Sequence, residues 1–144
     1  MNTHPTSGRP AVVTIIRILL VFDAVATLGA SALHVAGVRI PLGSAVFVEP
    51  QMVAAAIVEG LVGVVFAFSS YAVFSSKPSA WASALFAHLF AIAGFLLGIY
   101  ATRNGTSPFN ADYHRVMMAV FVVGVILLAL PATRTALGRG PRGA

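Results

Sequence analysis

The sequence predicts an all-α integral membrane protein, a four-helix bundle with short loops. Hydrophobic residues make up 58% of the 144 positions and charged residues only 9%, whereas about 25% of residues are charged in soluble proteins. Four apolar runs reach the roughly 17–25 residues that a helix needs to cross a bilayer. The net charge of +5 comes from basic residues between these runs or at the termini. That pattern is typical of membrane topology signals and argues against a nucleic acid partner.

The predicted transmembrane domain covers residues 11–132, with spans at 18–38, 52–74, 80–101 and 116–132. A loop containing Arg39 and the Glu49-Pro50 pair follows the first span. A tight turn at residues 75–78 follows the second, and a polar loop at residues 102–115 follows the third. Turn formers and charges at each break are typical of helix ends. Residues 1–10 and the basic tail 133–144 are rich in Gly, Pro and Arg, and we expect them to be disordered.

The distribution of basic residues predicts that both termini face the cytoplasm, because basic residues concentrate on the cytoplasmic side of a membrane protein. The side of the termini carries Arg9, Arg17, Lys77, Arg134, Arg139 and Arg142, and the other side carries Arg39, Arg103 and Arg115. A cleaved signal peptide is the alternative for the first span, since Ala30-Ser31-Ala32 has the form of a cleavage site. Arg outnumbers Lys eight to one, a bias that suggests a high-GC bacterium. In a bacterium we expect this multi-pass protein in the cytoplasmic (inner) membrane.

Three spans carry ionisable residues, which cost at least ~2.5–3.5 kcal/mol each inside a bilayer and therefore indicate a functional site. The helical rise places Glu59 and His88 ~12–13 Å from their span ends, near the midplane. Asp23 shares one helical face with Thr27 and Ser31. The predicted intramembrane polar cluster consists of Asp23, Thr27, Ser31, Glu59 and His88. Two interpretations stay open: a structural pairing that locks the helices together, or a proton relay or polar anchor for a small molecule or quinone.

A second cluster is predicted at the outer surface, where four polar residues come to a similar depth. Its members are His34, Glu49, Asp112 and His114. His34 ends the first span and His114 begins the fourth, so two imidazoles from antiparallel helices could approach a metal or a haem iron. The alternative is that these histidines are solvated or bonded to loop backbone, since no recognised ligand motif joins them.

Three short segments resemble the DoxX-like group of small four-helix bacterial membrane proteins. They are Arg17-Ile18-Leu19-Leu20 before the first span, Val58-Glu59-Gly60-Leu61-Val62-Gly63 in the second, and the polar loop before the last. The resemblance covers roughly residues 15–132. It implies an accessory or redox-linked role beside a quinol-oxidising respiratory enzyme, and it places Glu59 at the position of that group's acid in the second span.

Three functional classes follow for this chain. No catalytic motif is recognised, which favours a non-catalytic role and leaves open whether the chain is an enzyme. The first is an accessory or assembly subunit in a membrane complex, with a membrane protein or a second copy as partner. The second is a binder or relay of a small molecule, quinone or protons through Asp23, Glu59 and His88. The third is an electron carrier that holds haem or a metal between His34 and His114. The absence of cysteine excludes thiolate metal sites and disulfides.

Overall fold

The computed structural model describes residues 11–102 and 108–138. The elements in chain order are α1 (Ala11–Ala36), β1 (Val38–Leu42), β2 (Ala45–Glu49), α2 (Val53–Phe74), α3 (Ala80–Thr102), α4 (Pro108–Ala129) and α5 (Pro131–Gly138). Helices α1 to α4 run alternately in opposite directions. The β1–β2 hairpin and the start of α4 therefore lie at one end of the bundle, where the rings of Phe47 and Phe109 meet at 4.8 Å. We call this the hairpin end and the opposite end, with the α2–α3 connection, the turn end.

Helices α1 to α4 are each long and apolar enough to cross a membrane. Their most apolar windows have mean hydropathies of 1.7 to 2.2, yet only 28–33% of each window is buried. The remaining apolar side chains point outward, as Ile18, Val25 and Phe68 do. A large apolar outer surface is what lipid contact requires and what water disfavours, so the coarse prediction of a multi-pass helical membrane protein agrees with the fold.

Two helices begin earlier than the predicted spans. Helix α1 starts at Ala11 rather than residue 18, because the charge of Arg17 does not break it. The Arg17 guanidinium donates to the Val73 carbonyl at 3.3 Å and lies 4.9 Å from the centroid of the Phe74 ring. Helix α4 starts at Pro108 rather than residue 116. Proline suits the first position of a helix, where its missing N–H loses no hydrogen bond.

The first connection corrects the prediction of an all-α chain with short loops. Residues Val38–Leu42 and Ala45–Glu49 pair as an antiparallel hairpin, with Val38 opposite Glu49 and Leu42 opposite Ala45. The strands are rich in β-branched residues, which favour extended backbone. The tight turn between them uses Gly43 at φ +64°, a conformation that residues with a Cβ rarely adopt.

The tail predicted to be disordered from residue 133 is helical as far as Gly138. Pro131 ends α4 because it cannot supply the next backbone N–H, and α5 then packs back on the bundle with Thr133 and Leu137 buried. The Arg134 guanidinium lies 5.0 Å from the centroid of the Trp81 ring. Residues 1–10 and 139–144, also predicted to be disordered, lie outside the described residues.

Small and aromatic side chains form the interior. Helix α3 buries Ala80, Ala84, Ala87 and Ala91, which repeat every three or four residues and let neighbouring helices approach closely. Three fully buried aromatic rings lie beside this stripe: Phe121 contacts both Phe66 and Phe95. The aromatic layer separates the turn end from the polar side chains near the hairpin end.

Candidate functional site

The predicted midplane cluster of Asp23, Glu59 and His88 is divided between two levels of the bundle. Asp23 pairs with His88, whereas Glu59 pairs with His34 of the predicted outer cluster. The rise per residue explains the division. Phe66 packs edge-on against the His88 ring at 5.1 Å, and it lies seven residues after Glu59, which is about 10 Å along α2.

Asp23 and His88 form a fully buried pair, which we call the inner pair. His88 Nε2 lies 3.4 Å from Asp23 Oδ2, and neither side chain is exposed. His88 Nδ1 lies 2.8 Å from the Ala84 carbonyl oxygen; since that oxygen can only accept, Nδ1 must carry a proton. Nε2 and both Asp23 carboxyl oxygens have no hydrogen-bond partner among the described residues, so in this apolar interior each group has the other as its nearest polar neighbour across the helices.

A glycine of α4 makes room for the inner pair. A Cβ at Gly124 would overlap His88 Nε2 and Cδ2. Any larger residue would therefore displace the imidazole ring. The sequence offers no periodic signal for this role of Gly124, because the contact is with His88 of another helix, α3.

A second buried group, which we call the bridged group, comprises His34, Glu49, Glu59 and Asn110. His34 Nδ1 lies 3.3 Å from Glu49 Oε1, and His34 Nε2 lies 3.4 Å from Glu59 Oε2. All four side chains are buried. One imidazole therefore connects two carboxyl groups that come from different elements, β2 and α2.

Asn110 is the member of the bridged group that the sequence reasoning missed. Its Nδ2 donates to Glu49 Oε1 at 3.2 Å and lies 3.5 Å from His34 Nε2. Its backbone carbonyl oxygen accepts from His114 Nδ1 at 2.8 Å. The four-residue spacing of Asn110 and His114 puts both on one helical face. That spacing becomes informative only once α4 is known to begin at Pro108.

Thr27 and Ser31, expected in the polar cluster, bond to helix backbone instead. Thr27 Oγ1 donates to the Asp23 carbonyl oxygen of its own helix at 2.7 Å. Ser31 Oγ donates to the Ala56 carbonyl oxygen of α2 at 2.7 Å. Both hydroxyls are thereby satisfied, and the Ser31 bond holds α1 against α2.

Asp112, expected in the outer ligand cluster, points away from it. Its carboxylate pairs with Arg115 at 3.0 Å one helical turn later, and both side chains are more than 70% exposed. The other three members of that cluster, His34, Glu49 and His114, are buried. The outer cluster therefore consists of these three residues with Asn110 and Glu59, without Asp112.

His114 directs one ring nitrogen away from the bridged group. Because Nδ1 faces the Asn110 carbonyl oxygen, it carries the proton of the neutral ring, and Nε2 is left as an acceptor. Nε2 faces Gly98 of α3, where an added Cβ would lie 3.0 Å away. The ring packs on Phe95 with centroids 4.9 Å apart, which fixes its orientation.

A cavity of about 420 Å³ opens between α2, α3 and α4; we call it the lateral cavity. Three buried polar side chains, Glu59, Asn110 and His114, line it among apolar residues. Val53 and Leu97 also line it and are exposed on the apolar outer surface of the bundle. The mouth of the lateral cavity therefore faces the region that lipid would occupy.

A smaller cleft of about 260 Å³ lies between α1 and α4; we call it the α1–α4 cleft. His34, Glu49 and Asn110 line it together with Tyr113 and apolar residues. Asn110 lines both spaces, so the bridged group forms the wall between the lateral cavity and the α1–α4 cleft.

The geometry gives no support to haem held between His34 and His114. Both ring nitrogens of His34 face carboxyl groups, the Asn110 side-chain amide lies 3.5 Å from His34 Nε2, and His114 Nδ1 donates to the backbone carbonyl of its own helix at Asn110. In the part of the chain that is described, no three His, Asp or Glu side chains are arranged to hold a metal ion.

The chain was compared with protein families, curated proteins and solved structures. No protein-family model, no curated protein and no solved structure matches the chain.

Proposed function

We propose that this chain binds a small amphiphilic molecule of the quinol class in the lateral cavity. The observation that carries the proposal is Glu59, which is 2% exposed and lines the apolar cavity. Neither of its carboxyl oxygens has a hydrogen-bond donor in bonding geometry among the described residues. A buried polar group without such a donor is costly, and a ligand hydroxyl would supply one.

The size and position of the lateral cavity suit a ligand that arrives from the membrane. Its volume of about 420 Å³ falls in the range of ~300–1,000 Å³ typical of small-molecule sites. A mouth on the apolar surface favours a molecule dissolved in lipid over one dissolved in water. The buried ring of Phe95 gives an aromatic head group a surface to pack on.

The polar side chains favour a ligand head that donates hydrogen bonds. His114 Nε2 is an acceptor, because Nδ1 donates to Asn110. The Glu59 carboxyl accepts when ionised and both donates and accepts when protonated. A quinol offers two hydroxyl donors on a flat apolar ring, which matches this arrangement better than a quinone does.

The setting of this activity is part of the proposal. Four apolar helices and the distribution of basic residues support a bacterial inner membrane protein with cytoplasmic termini, so that the hairpin end faces outward. An accessory role in a respiratory complex is compatible with quinol binding. The resemblance to DoxX-like proteins points in the same direction, through the acid at Glu59.

Calorimetric titration of the full chain in mild detergent tests the proposal, with a short-chain benzoquinol as probe. Its dimethyl ether, which has no hydroxyl donor, serves as the matched control ligand. We expect the quinol to bind at least about tenfold more tightly than the ether, because one buried hydrogen bond is worth ~1–3 kcal/mol. Gly98→Ala, which places a methyl group 3.0 Å from His114 Nε2, should weaken quinol binding.

Gly138→Ala is the control variant, since its Cβ meets nothing within 4 Å, and it should leave binding unchanged. Equal affinity for the quinol and its ether, or undiminished binding by Gly98→Ala, would contradict the proposal. Mass spectrometry of the same preparation identifies co-purifying lipids and proteins, which also tests the accessory-subunit hypothesis.

A further inference from the structure

His34 is placed to do more than hold two helices together. Each of its ring nitrogens lies within ion-pair distance of a different carboxyl group: Nδ1 is 3.3 Å from Glu49 Oε1, and Nε2 is 3.4 Å from Glu59 Oε2. An imidazole can accept a proton at one nitrogen and release another from the opposite nitrogen. A purely structural contact would need only one of these two carboxyl groups.

The two carboxyl groups face different spaces. Glu59 lines the lateral cavity, whereas Glu49 lines the α1–α4 cleft. Glu49 is also the last residue of β2, outside the helices long enough to span a membrane. The line from Glu59 through His34 to Glu49 therefore leads from the lateral cavity to the hairpin end.

We infer that His34 carries protons between Glu59 in the lateral cavity and Glu49 at the hairpin end. The relay rests on the proposed function, because the bound hydroxyl ligand would be the group that exchanges protons with Glu59. Residues from three elements surround the His34 ring: Glu49 of β2, Glu59 of α2 and Asn110 of α4. His114 lies one turn further along α4. Asn110 acts as a positioning residue, since its amide donates to Glu49 at 3.2 Å.

The transfer starts from a neutral His34 ring that carries its proton on Nδ1. The carboxyl proton of Glu59 moves to Nε2, which leaves a Glu59 carboxylate and an imidazolium. The Nδ1 proton then moves to the Glu49 carboxylate, which leaves a neutral ring protonated on Nε2. One proton has left Glu59, one has reached Glu49, and no electrons change hands. The starting tautomer returns when the transfer runs in reverse, so the ring shuttles one proton back and forth between the two carboxyl groups.

Deuterium exchange at the His34 ring tests the relay without any ligand. The full chain is prepared with nitrogen-15-labelled histidine, and His34→Gln identifies the His34 ring signals in the NMR spectrum. The rate measured is exchange of the Nε2 proton, on the Glu59 side, with deuterated water. In Glu49→Gln, which keeps an acceptor for Asn110, we expect this rate to fall by about tenfold or more. Glu49→Asp, which retains a carboxyl group, should restore most of the rate.

Asp112→Asn is the control, because it removes an exposed carboxylate at the same end, and it should leave the rate unchanged. An unchanged rate in Glu49→Gln would overturn the relay, provided that thermal unfolding shows the variant to be folded. If Glu49→Gln does not fold, Glu59→Gln decides instead, because it removes the carboxyl group that faces Nε2: slower exchange of the Nε2 proton supports the relay, and an unaltered rate contradicts it. If Glu49→Gln slows the exchange but the calorimetric titration shows no quinol binding, the relay stands and the proposed ligand is refuted. If the quinol binds but Glu49→Gln leaves the exchange rate unaltered, the proposed ligand stands and the relay is refuted.

Discussion

Replacing Gly124 by alanine should break the inner pair. The added Cβ would overlap Nε2 and Cδ2 of His88, so the ring must leave its place. That place is fixed by the 2.8 Å bond from Nδ1 to the Ala84 carbonyl oxygen and by the edge contact with Phe66. The ring cannot move without disturbing these contacts and the 3.4 Å approach to Asp23.

The magnitude follows from the burial of the pair. Disrupting a buried ion pair costs about 3–5 kcal/mol, while Gly→Ala within a helix returns up to about 1 kcal/mol. We therefore expect Gly124→Ala to lower the free energy of unfolding by about 2–4 kcal/mol. The measurement is far-UV circular dichroism during titration of SDS into mixed micelles. Gly29→Ala is the matched control, because its Cβ meets nothing within 4 Å, and it should not destabilise the protein.

The reasoning depends on the His88 ring, and a double variant tests that dependence. In a His88→Ala background the new methyl group enters vacated space, so adding Gly124→Ala should change the free energy of unfolding by less than about 1 kcal/mol. An equal loss with and without the His88 ring would refute the reasoning, since the cost would then arise elsewhere in α4.

Three further variants separate buried from exposed polar contacts. Ser31→Ala should lower the free energy of unfolding by about 1 kcal/mol in the same SDS titration, because the 2.7 Å bond to Ala56 is lost; no change would mean that this bond does not hold α1 to α2. Asp112→Asn should have an effect within about 0.5 kcal/mol, since its pair with Arg115 is exposed, and a larger loss would contradict that assignment. Gly37→Ala should destabilise by about 1–2 kcal/mol, because its φ of +60° is strained for a residue with a Cβ; a neutral result would show that the helix end relaxes.

The helices and the buried stripe of α1 could be predicted from the sequence. Four apolar runs of sufficient length give the four long helices, and the spacing of Asp23, Thr27 and His34 places them on one face, which is buried. These features depend only on composition and helical period, both of which are local properties of the chain.

The pairing of the ionisable groups could not be predicted, because it depends on the level that each residue occupies in the bundle. Helices α1 and α4 begin seven and eight residues before the predicted spans, which is about 10–12 Å along a helix. An error of that size exceeds the reach of a hydrogen bond. Glu59 and His88 lie on α2 and α3, which start from opposite ends of the bundle; equal distances from those ends do not bring the two residues to one level, and Glu59 lies beside His34 and not beside His88.

The hairpin was missed for a related reason. Its strands of five residues each lie among turn-forming residues, and the sequence was interpreted as a loop between two spans. Glu49 becomes a buried group only because the hairpin turns its last residue toward His34 and Asn110. Burial of that kind is a tertiary property that local periodicity does not contain.

The separation of the two buried groups makes the bundle one-sided. Asp23 and His34 lie eleven residues apart on α1, or about 16 Å. Between them, the hydroxyls of Thr27 and Ser31 donate to backbone carbonyl oxygens. The Tyr113 hydroxyl lies in the same interval and donates to the Ala26 carbonyl oxygen at 3.4 Å. The hydroxyls between the two buried groups are thus bonded to backbone carbonyls and not to the ionisable side chains on either side, so a substitution in one group should leave the geometry of the other intact.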